Sequence, residues 1–183
     1  YAEAKPRGIS ALDAPVSGGD SGAKAGPLSI MVGGDREAFD SCQDVFAAMG
    51  TNIIYEGGAG KGQHTKMANQ IALAGAVASV SEAIAYARRT GLDVETMLAS
   101  ISKGAAGSWQ MTNNAPKMVA GDMAPGFFIK HFIKDMAIAD EEAKAAGLTM
   151  PVLEEVLEMY RELDRRGEGD LGTQAVIHYF DEK

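Results

Sequence analysis

Gly58-Ala59-Gly60-Lys61-Gly62-Gln63-His64-Thr65-Lys66-Met67-Ala68-Asn69-Gln70 is a glycine-rich turn running straight into a helix. Lys66 is followed by two carboxamides, Asn69 and Gln70, three and four residues on. Those spacings put side chains on one face of a helix. An ammonium beside two amides is a donor-rich cluster with one member able to shuttle a proton, which suits chemistry at an oxygen atom. The stretch also marks a change of character along the chain: α/β before it, all helix after it.

Phosphate loops are the first alternative to test. A P-loop needs a glycine, four spacers, then Gly-Lys and a hydroxyl residue. Here Gly60-Lys61 is followed by Gly62, and Tyr55 stands where the first glycine should be. The dinucleotide pattern G-x-G-x-x-G fails too, because counting on from Gly58 and Gly60 reaches Gln63. The second glycine cluster, Gly18-Gly19 with Gly22 and Gly26, fits neither pattern. His64, His131 and His178 lack partners at metal-ligand spacing, so no metal is expected. Ser17, in Pro15-Val16-Ser17-Gly18-Gly19, lacks the G-x-S-x-G elbow of a nucleophile. Its turn reads as a nest of backbone N–H groups plus a hydroxyl, able to grip a carboxylate.

Upstream, Ile9 to Ala14 reads as a short strand ended by Pro15. Leu28 to Val32 reads as a second, between Pro27 and Gly33-Gly34. Asp35 is placed to cap a helix through Met49, with Phe39, Val45, Phe46 and Met49 on its apolar side and Gly50 ending it. Asn52 to Tyr55 is a third strand. Downstream, residues 61 to about 89 form an alanine-rich helix apolar on most faces, the mark of a buried helix. Arg88 and Arg89 suit its negative end, and Gly91 stops it. Asp93 caps the next helix, and Ser108 to about Val119 is a weaker helical segment. Ile129 to Ala146 and Pro151 to Arg166 are strong helices, and Thr173 to Tyr179 is a short final one. The reading is an α/β piece, residues 1–57, followed by an all-helical domain, residues 58–183.

The 183 residues carry a net charge of -8, which disfavours non-specific nucleic-acid binding but allows local positive charge for a small anion. Cys42 stands alone, so no intrachain disulfide is expected; it reads as a buried structural thiol in a reducing compartment. The apolar run Ile71 to Val80 is about half a membrane span, and no signal peptide is recognisable. A cytoplasmic protein without membrane contact is expected. Tyr1 to Lys5 resembles the tail of a helix, as though the sequence were part of something longer.

Lys66 is set apart from an ordinary surface lysine by its place, near the N-terminal end of an otherwise apolar helix just beyond a glycine turn. The positive helix end and partial burial would both disfavour the ammonium, readying it to exchange a proton near neutral pH.

Three stretches in this order and spacing resemble the β-hydroxyacid dehydrogenase family. They are Asp13-Ala14-Pro15-Val16-Ser17-Gly18-Gly19; Gly58-Ala59-Gly60 with Lys66-Met67-Ala68-Asn69-Gln70; and Gly126-Phe127-Phe128 through Lys134-Asp135. That family includes 3-hydroxyisobutyrate dehydrogenases and tartronate semialdehyde (2-hydroxy-3-oxopropionate) reductases. The resemblance runs through essentially the whole chain. It implies a Rossmann domain binding NAD or NADP, followed by a helical domain like that of 6-phosphogluconate dehydrogenase. Lys66 matches the catalytic lysine, and Ser17, Gly18 and Gly19 match the loop holding a substrate carboxylate. Asn69 and Gln70 match substrate-contacting amides, some members having Asn where Gln70 stands. Phe127, Lys134 and Asp135 match residues lining the cofactor and substrate cleft, with Lys134 the cofactor contact. The family's glycine-rich fingerprint is absent, so the chain is expected to hold the last part of the Rossmann domain and the complete helical domain, inactive alone. The substrate is a small carboxylate, and homodimers or homotetramers are expected.

Two alternatives remain open. A decarboxylating enzyme resembling 6-phosphogluconate dehydrogenase would place His-Asn three and four residues after its lysine, where this chain has Asn69-Gln70. A non-catalytic helical dimerisation or reader module would keep the fold with degraded motifs, whereas Lys66, Ser17 and Asn69 are intact.

Overall fold

The computed structural model describes residues 1–26 and 28–181, without the side chain of Ser21. The chain divides into two compact units, Tyr1–Asn69 and Gln70–Lys183.

The first unit is built on a mixed sheet. β3 (Leu28–Gly34) pairs in parallel with β4 (Gly50–Gly57) along one edge. Along the other it pairs antiparallel with β1 (Leu12–Asp13) and then β2 (Val16–Ser17). Leu12 stands opposite Gly34 and Ser17 opposite Ser29. Pro15 has no N–H to donate, but its carbonyl accepts from Met31 N at 3.0 Å, so the ladder continues across the break. The strand expected from Ile9 to Ala14 therefore starts later, and Val16-Ser17, expected as a turn, belongs to the sheet. Partner availability explains both: β1 and β2 find β3 opposite them, and Ile9 is left 58% exposed. Pro27, expected to bound the second strand, lies outside the described residues.

Residues 18–26 hold a further surprise, a short helix α1 (Gly19–Ala25) within the glycine cluster. The helix expected from Asp35 to Met49 breaks at Cys42 into α2 (Arg36–Ser41) and α3 (Gln43–Ala47). The break changes which side chains face inward. Phe39 and Phe46 stay buried and stack at 6.0 Å, whereas Val45 and Met49 are 60% and 45% exposed. Cys42 is only half-buried, packed against the core of Ile30, Val32, Phe39 and Phe46.

α4 (Lys61–Thr90) gives its first turns to this unit and the rest to the second. By length and composition alone α4 meets the requirement for a membrane span, which the run Ile71 to Val80 does not meet by itself. Its Ala74, Val77, Ile84 and Ala87 are wholly buried within the protein, the behaviour of a core helix. It ends as expected, with Gly91 at φ +74° and Leu92 N donating to Ala87 O at 2.9 Å.

The second unit continues with α5 (Val94–Ile101), capped by Asp93, whose carboxylate accepts from Thr96 N at 2.8 Å. The weak segment after Ser108 is two helices, α6 (Trp109–Asn113) and α7 (Ala115–Ala120). They meet at Asn114, whose buried amide donates to Gln110 Oε1 at 2.6 Å, with Pro116 in the first turn of α7. α8 (Ile129–Ala145) and α9 (Pro151–Arg165) form where expected. The final helix is a 3₁₀ turn, Thr173–Ile177, leading into α10 (His178–Asp181). Tyr160, fully buried, donates its hydroxyl to Thr173 O at 2.6 Å and so ties that turn to α9. Phe132, Met136, Leu153, Leu157 and Leu163 complete the apolar interior.

Candidate functional site

The first N–H groups of a helix have no partner within it. At α4 the partner comes from far upstream in the sequence. Asp13 Oδ1 accepts from Gly60 N at 2.7 Å, and Oδ2 accepts from Gln63 N at 2.9 Å. A carboxylate there also suits the positive end of the helix. The approach is close. A Cβ on Gly33 would lie 2.6 and 2.7 Å from the two Asp13 oxygens, and one on Gly62 would run into the Met31 carbonyl. Gly60, at φ +86°, turns the chain into the helix. Asp13 stands in the motif Asp13-Ala14-Pro15-Val16-Ser17-Gly18-Gly19, but the sequence does not reveal this role. The available signal was a lone carboxylate in the apolar run Ala11-Leu12-Asp13-Ala14; the partners lie 47 and 50 residues away, beyond any local pattern.

Lys66 lies in the second turn of the same helix, half-buried, with Nζ donating to the Val16 carbonyl at 2.9 Å. Val16 immediately precedes Ser17-Gly18-Gly19. The structure thus brings the lysine to the strand that leads into the expected carboxylate turn. Gly18 and Gly19 have φ of 140° and 61°, and both are exposed. A Cβ on Gly18 would sit 2.8 Å from Leu28 Cδ2. Ser17 is half-buried within β2, and Asn69 is half-buried three residues beyond Lys66 on α4.

In the second unit, Gln70 is 1% exposed, and its Nε2 donates to Asp135 Oδ2 at 2.7 Å. The other Asp135 oxygen lies 3.0 Å from Lys134 Nζ. Gln70, Lys134 and Asp135 therefore form one connected group, buried at the amide end and open at the ammonium, where the Lys134 side chain is 66% exposed. Phe127 is held separately: its ring packs on Phe132 at 5.7 Å, and its carbonyl accepts from Thr173 N at 3.0 Å. His178 Nδ1 lies 2.6 Å from Glu168, a partner that sequence spacing did not reveal. Among the described residues no three His, Cys, Asp or Glu side chains gather as metal ligands do.

Residues 60–180 match a family model described as NAD-binding of NADP-dependent 3-hydroxyisobutyrate dehydrogenase. Residues 1–57 match one described as the NAD binding domain of 6-phosphogluconate dehydrogenase. The chain is 54% identical over 173 residues to an uncharacterized oxidoreductase, YkwC, of Bacillus subtilis, covering 94% of this chain and 60% of that protein. It is 43% identical over 166 residues to probable 3-hydroxyisobutyrate dehydrogenase-like 1, mitochondrial, of Arabidopsis thaliana, covering 91% and 49%. Among solved structures, that of Mycobacterium tuberculosis 3-hydroxyisobutyrate dehydrogenase with L-serine superposes with a TM-score of 0.89 at 33% identity, covering 97% of this chain and 63% of that one. The chain thus spans roughly half to three fifths of the length of these proteins.

Proposed function

Because the chain belongs to the β-hydroxyacid dehydrogenase family, we propose that it carries the acid/base half of an NAD- or NADP-dependent oxidoreductase acting on a small β-hydroxyacid or semialdehyde. The observation that carries the reading is the Lys66 ammonium, 2.9 Å from the Val16 carbonyl and next to the Ser17-Gly18-Gly19 turn. An acid/base group held against the strand that leads into the carboxylate anchor suits a substrate whose carboxylate lies close to its hydroxyl. Lys66 protonates the forming alkoxide in reduction and accepts the hydroxyl proton in oxidation. The Ser17 hydroxyl and the N–H groups of Gly18 and Gly19 anchor the carboxylate, turning binding energy into orientation. Asn69 or Gln70 supplies the amide that orients the reacting oxygen.

The donor set also suits the cofactor that the family uses. The exposed Lys134 ammonium can take an anionic phosphate, its orientation set by Asp135, while Phe127 offers an apolar wall. When bound, NAD or NADP supplies or accepts the hydride. We assign residues 1–57 to the end of the nucleotide-binding domain and 58–183 to the helical domain, in line with the two family models. We further assign a cytoplasmic setting and a homodimer or homotetramer. The latter is supported by a shallow groove of about 330 Å³ between α4 and α9, lined by Gly75, Ala78, Val152 and Val156.

The test is turnover of the full-length protein with tartronate semialdehyde, succinic semialdehyde and 3-hydroxyisobutyrate, with either nucleotide. Activity on at least one is expected. Silence on all three despite nucleotide binding would favour a non-catalytic module, unless a phosphorylated sugar acid assayed beside them is turned over with release of carbon dioxide, which would favour the decarboxylating class.

A further inference from the structure

We propose that Asp13 is a positioning residue for the lysine, acting through the N-terminus of α4. The inference rests on the proposed acid/base role of Lys66. Two contacts fix the helix against one sheet edge. The Asp13 carboxylate holds the N–H groups of Gly60 and Gln63 at 2.7 and 2.9 Å, and the Val16 carbonyl holds Lys66 Nζ at 2.9 Å. Asp13 and Val16 belong to β1 and β2, which share the partner strand β3. Both anchors therefore sit on one rigid ladder, with only Ala14 and Pro15 between them. The first contact sets how far the helix advances and how it is rotated about its axis. The second reads that setting out at the ammonium, less than two turns along.

The packing around Asp13 leaves it little freedom. Gly33 and Gly62 both face it, and a Cβ on either would lie within 2.8 Å of a carboxylate oxygen. Such contacts are closer than real side chains make, so the pocket is shaped for a carboxylate and two glycines. A cap that served stability alone could come from a residue adjacent to Gly60, as Asp93 and Ser108 do for α5 and α6. Here the cap instead comes from the strand that leads to the substrate-anchor turn.

The test compares Asp13→Asn, Lys66→Met and the double variant in the full-length enzyme. Asn keeps the shape but lacks the charge and has one acceptor for two N–H groups. Asp13→Asn is expected to lower kcat about tenfold, with KM for nucleotide unchanged, because small misplacements of an acid/base group cost rate rather than binding. Lys66→Met is expected to lower kcat by at least about a hundredfold. The double variant should be no slower than Lys66→Met, since a residue acting through the lysine has nothing left to position. Full additivity, or unchanged kcat in Asp13→Asn beside an impaired Lys66→Met, overturns the role of Asp13 alone. Unchanged kcat in Lys66→Met overturns the acid/base reading and this inference with it. Should Asp13→Asn fold poorly, hydrogen exchange in the unaltered protein decides: the Gly60 and Gln63 amides should be protected like the interior of α4, and exchange at unstructured rates would overturn the clamp.

Discussion

At the scale of the residue, the chain makes costly use of a few polar atoms. Tyr160 is buried whole, burial pushes its hydroxyl pKa well up, and its proton is given to the Thr173 carbonyl. Tyr160→Phe should destabilise the protein by about 1–2 kcal/mol, because it removes a buried hydrogen bond that ties the Thr173–Ile177 turn to α9. Urea denaturation of the helical unit's signal would measure it. Asp93 makes a contrasting, exposed contribution. Hydrogen bonds from the Thr96 side chain and then its backbone N–H hold the Asp93 carboxyl below the usual carboxylate range. A depressed pKa means that the contribution is present above the unfolded carboxylate's pKa and is lost as pH falls through the folded value. Protection of the first-turn amides of α5 should therefore fade below about pH 4. Asp93→Ala should remove that dependence, as exchange rates would show. The site residues follow the same rule of named partners. Gln70 is bound to Asp135 and Lys66 to Val16, so each is held in place by a contact that a substitution would visibly release.

At the scale of the element, the decisive contact is the start of α4 against the sheet. Gly62→Ala would drive a methyl group into the Met31 carbonyl and against Asp13. The expected cost is about 1–3 kcal/mol, visible as a lowered melting temperature and, if Lys66 shifts, as a lower kcat. The helices from α4 onward were largely legible in the sequence because their stops are local: Gly91, Gly147, Pro151 and Asp93 each act on their own neighbours. The sheet edge was less legible. Leu12 to Ser17 takes its conformation from β3, and nothing in those six residues announces that Val16-Ser17 will pair rather than turn. Cys42 broke an expected helix for a related reason. Burying Phe39 and Phe46 in one cluster mattered more than keeping the apolar stripe that also held Val45 and Met49. The candidate site divided in the same way. Helical spacing singles out Lys66, Asn69 and Gln70 as candidates, whereas the Asp13 cap, a contact across 47 and 50 residues, has no such local signal.

At the scale of the whole molecule, the chain passes from a sheet-bearing unit to a helical one within the sequence of α4. With a net charge of -8, the proposed binding of small anions falls to local donors, the Ser17-Gly18-Gly19 turn and the exposed Lys134 ammonium. The groove between α4 and α9 carries the proposed contact between copies, and Val152 stands 65% exposed at its rim. Val152→Glu should shift the mass measured by light scattering toward the monomer; an unchanged mass would move the interface elsewhere. The central claim is that Lys66 is the acid/base of a hydride-transfer reaction. It is tested most directly by single-turnover measurement of nicotinamide oxidation in the full-length Lys66→Met protein with nucleotide bound. Nucleotide affinity should be unchanged and the chemical step slowed by at least about a hundredfold. A step slowed less than tenfold would contradict the claim.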